Sequence, residues 1–210
     1  MLRAAISLAD ETGIESVTMR KLAQELGVEA MTLYYYVANK DEILGGIVDA
    51  VVGEIELPSP GADWKAAIRR TAISAHSVLL QHEWAASLLL SGQGVSLSRL
   101  QYMDSILGSL REGGFSADMT DHAYHALDSH IMGFTLWEVG ISLGLTRLGV
   151  QGSIARFLQE LDIDEYPHLA EHAEQHLKDR DPADEGEFEF GLDLILDGLE
   201  RLLNASAGRR

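Results

Sequence analysis

Apolar residues recur every three or four positions through nearly all of this 210-residue chain, and no convincing strand-like alternation interrupts them. The pattern predicts helices over 2–12, 19–26, 29–36, 40–55, 63–81, 83–91, 95–113, 117–145, 152–161, 167–178 and 187–204. The expected fold class is therefore all-α. In the first helix Leu2, Ala5, Ile6 and Ala9 share one face, and Gly13 ends it. Thr18 is placed to cap the second helix, whose inner face is Leu22, Ala23 and Leu26. Lys21 stands three residues beyond that cap, so a full capping box is absent. Gly27 supplies a turn, and the helix after it is anchored inward by Leu33 with Tyr36 or Val37. Asn39 then opens a longer helix with Glu42 three residues on, a capping-box pattern, and Ile43, Ile47, Val51 and Ile55 form its inner face. Leu57-Pro58-Ser59-Pro60-Gly61 breaks the periodicity. It separates an N-terminal domain, 1–56, from a larger helical domain, 62–204.

Two short helices about a glycine turn, followed by a third helix behind its own cap, are the sequence form of a helix-turn-helix. The second short helix carries Thr32, Tyr34, Tyr35 and Tyr36 where a purely structural helix would keep its aromatics inside. Adjacent residues lie about 100° apart around a helix, so three consecutive tyrosines cannot all point inward. An exposed tyrosine near Lys40 suits a phosphate.

Two later helices are apolar on more than one face. In 117–145, one seam is Leu127, Ile131, Phe134, Trp137 and Ile141, and a second is Met132, Leu136, Val139 and Leu143. In 187–204, Leu192, Ile195, Leu199 and Leu202 sit beside Leu196 and Leu203. A helix wet on one side needs a single stripe. The double stripe predicts burial on both sides, either at the centre of one large core or against the same helices of a second copy. Because both helices share the pattern, a homodimer through 117–145 and 187–204 is the expected arrangement.

Composition narrows the functional classes. The chain is 46% hydrophobic and 23% charged, ordinary for a globular protein, and has no cysteine, hence no disulfide and no thiolate ligand or nucleophile. That fits a reducing cytoplasm. The apolar run at the N-terminus is too short for a signal peptide, and Glu138 and Arg147 interrupt the best candidate for a membrane span, 131–150. A net charge of −17 argues against a protein that coats nucleic acid without specificity. Residues 1–55 hold four basic side chains, Arg3, Arg20, Lys21 and Lys40, against nine acidic ones. Any DNA contact must then rely on a few well-placed cations.

The ordered set Ala9, Gly13, Thr18, Arg20, Leu22, Ala23, Leu26-Gly27-Val28, Thr32-Leu33-Tyr34, Val37, Asn39-Lys40 and Leu44 resembles the DNA-binding domain of the tetracycline-repressor (TetR) family of bacterial regulators. Tyr166-Pro167-His168-Leu169, Phe188-Glu189-Phe190-Gly191-Leu192 and Leu196-Asp197-Gly198-Leu199 resemble that family's C-terminal domain more loosely. The resemblance implies a homodimeric, all-helical transcription repressor that leaves its double-stranded operator when a small-molecule effector enters the larger domain. It places Arg20 at a base edge and Ala30, Met31 and Thr32 at the opening of the recognition helix. It places Thr18, Tyr34, Tyr35 and Lys40 at phosphates and Tyr36 at either, with Lys21 beside them. It also implies a basic arm before the first helix, whereas Met1 stands almost inside that helix. His76, Trp84, Tyr102, Met103, His130 and Trp137 are the expected effector-pocket residues: aromatic, polar-tipped or adaptable side chains on helices that should line an apolar cavity.

Other chemistries fit less well. His122, His125 and His130 with Asp118, Asp121 and Asp128, and the ladder His168, His172 and His176, invite a metal reading, but they lack the Glu-x-x-His pairs of di-iron bundles and read more simply as polar faces. No metal or other cofactor is expected. There is no nucleophile elbow, no HExxH and no phosphate loop, so the chain is not expected to be an enzyme; a helical metal-dependent hydrolase built on the histidines is the remote alternative. A regulator fold that has lost DNA binding and acts through protein interaction is the nearer one.

Overall fold

Alternating small and apolar positions along the first helix, α1 (Leu2–Thr12), bury Ala5 and Ala9 completely and let neighbouring helices approach closely. A single 3₁₀ turn, Ile14–Ser16, leads to α2 (Met19–Glu25). The Thr18 side chain caps α2 by accepting from the Lys21 backbone N–H at 3.2 Å. Helix α2 ends in a Schellman motif: Val28 N–H bonds to Ala23 O and Gly27 N–H to Gln24 O, with Gly27 at φ 65°. Only glycine takes that left-handed conformation without strain.

The next helix is shorter than the sequence predicts. Helix α3 covers Ala30–Leu33, and Tyr34–Tyr36 continue as a turn held by the Tyr35 N–H to Thr32 O and Tyr36 N–H to Leu33 O bonds. The reason lies in the anchors. Leu33 and Val37 are both buried, and with Val37 inside, the chain tightens between them and leaves all three tyrosines in solvent. The inward partner of Leu33 is thus Val37, not Tyr36. Helix α4 (Lys40–Val52) carries the reciprocal capping box: Asn39 Oδ1 accepts from Glu42 N–H at 3.0 Å, and a Glu42 carboxylate oxygen accepts from Ala38 N–H at 2.7 Å. It ends at Val52, three residues earlier than predicted, and Ile55 is buried in the turn beyond it.

The structure, a computed structural model, describes residues 1–91, 96–148, 165–169, 171–172 and 186–207. The remaining helices among them are α5 (Trp64–Gln81), α6 (Glu83–Leu90), α7 (Leu97–Glu112), α8 (Ala117–Leu148) and α9 (Glu187–Ala207). The predicted helix 152–161, most of 167–178, and the side chains of Ile141 and Leu143 lie outside the described residues. Every regular element described is a helix, the all-α class expected. None of the described helices is long and apolar enough to cross a membrane.

Cα packing divides the chain into a larger unit, Met1–Leu136 with Phe188–Arg210, and a smaller one, Trp137–Glu187. Within the larger unit α4 is the shared wall. Ile43, Ile47, Val48, Val51 and Val52 are buried along it, and it packs on α1 at one end and on α5, α6 and α7 at the other. Polar ties fix this arrangement. Asp49 Oδ1 accepts from the Ser98 backbone N–H at 2.8 Å, at the first turn of α7. Burial pushes the Asp49 carboxyl up, but that bond and those from the Ser96 and Ser98 side chains outweigh it and hold the group below its ordinary value. Glu56 N–H donates to Ser74 Oγ on α5 at 2.9 Å. Helix α9 lies against α5 through a two-bond Arg69–Asp193 pair at 2.8 and 3.0 Å and through Lys65, which reaches Asp197 and Glu200 at 2.7 Å each. Leu192 and Leu196 on α9 are fully buried, whereas Phe190, Leu194 and Leu202 on the same helix stay exposed.

Candidate functional site

Two regions of the larger unit carry candidate function. The first is the surface of α2, α3 and the start of α4. Tyr34, Tyr35 and Tyr36 are 49%, 84% and 74% exposed and Met31 is 68% exposed, in a segment whose only buried side chains are Leu33 and Val37. Large apolar and aromatic groups are not normally displayed in such density on a free surface, and a cluster of them marks a contact face. Thr18, Arg20 and Lys21 are exposed at the start of α2, while Ala30, Thr32 and Lys40 are half-buried. The ten predicted contact residues thus lie on three consecutive, short elements. Thr18 spends its side chain on the α2 cap, which leaves its hydroxyl hydrogen free to donate to an anion. Glu25, Glu29, Asp41 and Glu42 are exposed on the same elements, so the face is aromatic and only sparsely cationic.

The second region is a small cleft, part of it open to solvent. Val52 at the end of α4, Ile55 in the turn after it, Leu79 from α5, Leu89 from α6 and Ile131 and Met132 from α8 make its apolar walls. Four polar side chains join them: Arg99 and Tyr102 from α7, and Tyr124 and Asp128 from α8. On α8 the lining positions 124, 128, 131 and 132 fall on one helical face. Burial pushes the Tyr102 phenol well up and the Tyr124 phenol up to about 12, so both keep their protons at neutral pH. Burial also raises the Asp128 carboxyl, against the opposing fields of Arg99 and His125.

Of the six predicted effector residues only Tyr102 lines this cleft. Trp84 is buried elsewhere, its indole Nε1–H donating to Asp10 Oδ1 on α1 at 2.7 Å. Met103 lies on the outer surface of α7, and Trp137, in the smaller unit, is half-exposed. His76 and His130 gather around Phe188 instead. The His76 ring stacks on Phe188 with centroids 3.9 Å apart, and His130 stacks on it at 5.0 Å. The Thr135 hydroxyl donates to Ile131 O, so the 2.8 Å contact between His76 Nδ1 and Thr135 Oγ1 requires the proton on Nδ1. His130 Nε2 donates to Phe188 O at 2.9 Å. Arg99, Tyr124 and Asp128 are the polar lining residues that the sequence does not single out for this role. Among the described residues no group of three or more metal-type ligands converges; His125 pairs with Asp121 at 3.6 Å on the surface.

Burial lowers the His76 pKa below its ordinary 6.5, Glu189 pulling the other way and His130 adding to the depression. The folded state then binds fewer protons than the unfolded chain. Its contribution is fully present above the unfolded value and lost as pH falls through and below about 6.5. Thermal unfolding from about pH 7.5 to about 5.5 is expected to show a falling Tm, and His76→Phe, which keeps the stack on Phe188, is expected to flatten that fall. An unchanged slope would remove His76 as its source.

Against this geometry the similarity to known proteins is decisive. Residues 57–203 match the tetracyclin repressor-like C-terminal domain, and residues 1–47 match the N-terminal domain of the bacterial regulatory proteins of the tetR family. The chain belongs to the TetR family. An HTH-type transcriptional regulator of Saccharopolyspora erythraea is 29% identical over 99% of this chain and 84% of its own. A possible TetR family transcriptional regulator from Streptomyces coelicolor A3(2) shares the fold at a TM-score of 0.76, with 29% identity over 96% of this chain and 97% of that one. The Streptomyces coelicolor TetR family protein ActR in complex with (S)-DNPA matches at 0.68, with 25% identity over 94% of both chains. BioQ with its double-stranded DNA operator matches at 0.57, with 29% identity over 71% of this chain and 90% of that one. This TetR chain is thus a helix-turn-helix transcriptional regulator.

Proposed function

We propose that this TetR protein is a cytoplasmic, homodimeric repressor, without a catalytic role, that leaves its operator when a small molecule occupies the cleft between α5, α6, α7 and α8. In this reading residues 1–56 are the DNA-binding domain and 62–204 the effector and dimerisation domain. The observation that carries it is the exposed Met31, Tyr34, Tyr35 and Tyr36 over the buried Leu33 and Val37. Arg20 reads a base, guanine being the usual partner of arginine, and Ala30, Met31 and Thr32 face base edges. Thr18, Lys21, Tyr34, Tyr35 and Lys40 hold phosphates, with Tyr36 at either. The exposed row Phe190, Leu194 and Leu202 on α9 supports a second copy as the partner of that helix. Val52 at the end of α4 and Ile55 in the turn after it line the cleft, and Asp49 ties α4 to α7, so an occupant can bias the helix that carries the head. Differential affinity worth about 1–3 kcal/mol is enough for such coupling.

Mobility shift on the DNA flanking the protein's own gene tests the reading. Tyr34→Ala and Lys40→Ala are expected to weaken binding at every sequence, and Arg20→Ala to relax discrimination at one base pair per half-site. With on the order of four to six phosphates neutralised per dimer, log K should fall with log salt at a slope of roughly −4 to −5. A slope near about −10 would show that the sparse cations named here are not the contact. An intact dimer that shifts no DNA would favour a regulator fold acting through protein contacts.

A further inference from the structure

We infer that the cleft is built for a ring-bearing apolar molecule that carries a cationic nitrogen, and that Asp128 is the group that selects it. The inference rests on the cleft being the effector site, as proposed above. Asp128 sits half-buried on α8 among Leu79, Leu89, Ile131 and Met132, and no described residue gives it a hydrogen bond or an ion pair. Arg99 and His125 oppose the effect of burial on Asp128, but neither pairs with it; one guanidinium nitrogen of Arg99 donates instead to Leu89 O at 3.1 Å, and His125 pairs with Asp121. The Tyr102 and Tyr124 hydroxyls likewise have no partner among the described residues.

A carboxylate can only accept hydrogen bonds, and one left without a partner in apolar surroundings is costly. A purely hydrocarbon occupant would displace the remaining water from Asp128 and give nothing back. An anionic occupant would add like charge beside it, with the exposed Arg99 and His125 to compensate. An ammonium or protonated ring nitrogen restores the missing donor and charge at once, while the flanking Leu, Ile and Met side chains take the ring system. The two phenols add neutral donor-acceptor groups beside the carboxylate. The raised Asp128 pKa is the same desolvation seen from the unliganded state.

Three probes on one skeleton separate the possibilities: 1-naphthylmethylamine, 1-naphthylmethanol and 1-naphthoate, titrated calorimetrically into the full chain near neutral pH. The amine is expected to bind at least about tenfold more tightly than the alcohol, the range a charge-assisted hydrogen bond supplies. Asp128→Asn should remove that preference while circular dichroism and alcohol binding persist; Asp128→Ser gives a second variant without the charge. Tightest binding by the naphthoate would overturn the inference and make Arg99 the reader. Equal binding of all three, unchanged in Asp128→Asn, would overturn it and leave the cleft as a small-molecule site of another chemistry. No heat with any probe would remove the cleft itself as the effector site, and the inference with it.

Discussion

Asp10→Ala is expected to cost about 2–4 kcal/mol of stability, because one carboxylate oxygen satisfies two buried donors at once. Asp10 Oδ1 accepts from His82 Nδ1 at 2.8 Å and from Trp84 Nε1 at 2.7 Å. Both rings are almost completely buried, where water cannot replace the lost partner. His82 Nε2 offers no relief: it lies 3.5 Å from a Glu54 carboxylate oxygen, yet without hydrogen-bond geometry, and is itself buried and unsatisfied. Removing Asp10 therefore strands the Nδ1 and indole donors as well. For a chain of this size the loss corresponds to a Tm lower by roughly 5–15 °C. Asp10→Asn keeps an acceptor oxygen and should lose much less. Equal losses in the two variants would mean that the charge, and not the geometry, holds the site. Because Asp10 belongs to α1 and its partners to the start of α6, the Ala variant should also loosen the tie between α1 and α6.

These contacts also explain where the sequence is legible and where it is not. Thr18, Gly27 and the Asn39–Glu42 pair act within four residues of themselves, so the helix-turn-helix and its caps follow from local chemistry. The length of α3 is less accessible, since it depends on which of Tyr36 and Val37 turns inward, a choice made by packing against distant residues. Trp84 looks like a ligand-binding aromatic because its indole N–H needs a partner. That partner, Asp10, lies 74 residues away in the chain, and no spacing rule connects the two. His76 and His130 are similarly claimed by Thr135 and by the Phe188 carbonyl.

In the cleft, Tyr102 can be anticipated as a polar-tipped aromatic. Asp128 reads in the sequence only as part of an acidic, histidine-bearing helix face. A signal is nevertheless present: Tyr124, Asp128 and Ile131 follow one another at helical spacing, which puts a carboxylate on an otherwise core-facing stripe. A charged residue at such a position is costly unless something pairs with it. On α9 five of the six stripe residues, Leu192, Ile195, Leu196, Leu199 and Leu203, pack on the core, and Leu202 alone of the six is exposed. Phe190 and Leu194, which the stripe does not include, are exposed as well.

Two glycines on one helix should respond to the same substitution with opposite signs. The doublet Gly113-Gly114 reads as a helix stop, yet only Gly114 needs to be glycine for the turn. It has φ 98°, and the α7 Schellman bonds, Gly114 N–H to Arg111 O and Phe115 N–H to Leu110 O, depend on it. Gly113 has ordinary helical angles, φ −68° and ψ −6°. Its constraint is Trp64: a Cβ at position 113 would lie 2.7–2.8 Å from the Trp64 Cβ, Cγ and Cδ1. Trp64 has little room to retreat, since it is buried at the start of α5 with its ring edge-on to the buried Phe115 at 4.8 Å. Moreover the clashing atoms are the base of the side chain, which cannot move without the α5 backbone. Gly113→Ala is therefore expected to cost about 2–3 kcal/mol, at the upper end of overpacking effects. Gly108, five residues earlier inside α7, has nothing within 4 Å of the place an alanine methyl would take, so Gly108→Ala should gain roughly 0.5–1 kcal/mol from helix propensity and reduced unfolded-state entropy. Chemical unfolding of the two variants beside wild type reads both signs in one experiment. A gain at Gly113 would mean that the start of α5 and the end of α7 do not meet as described.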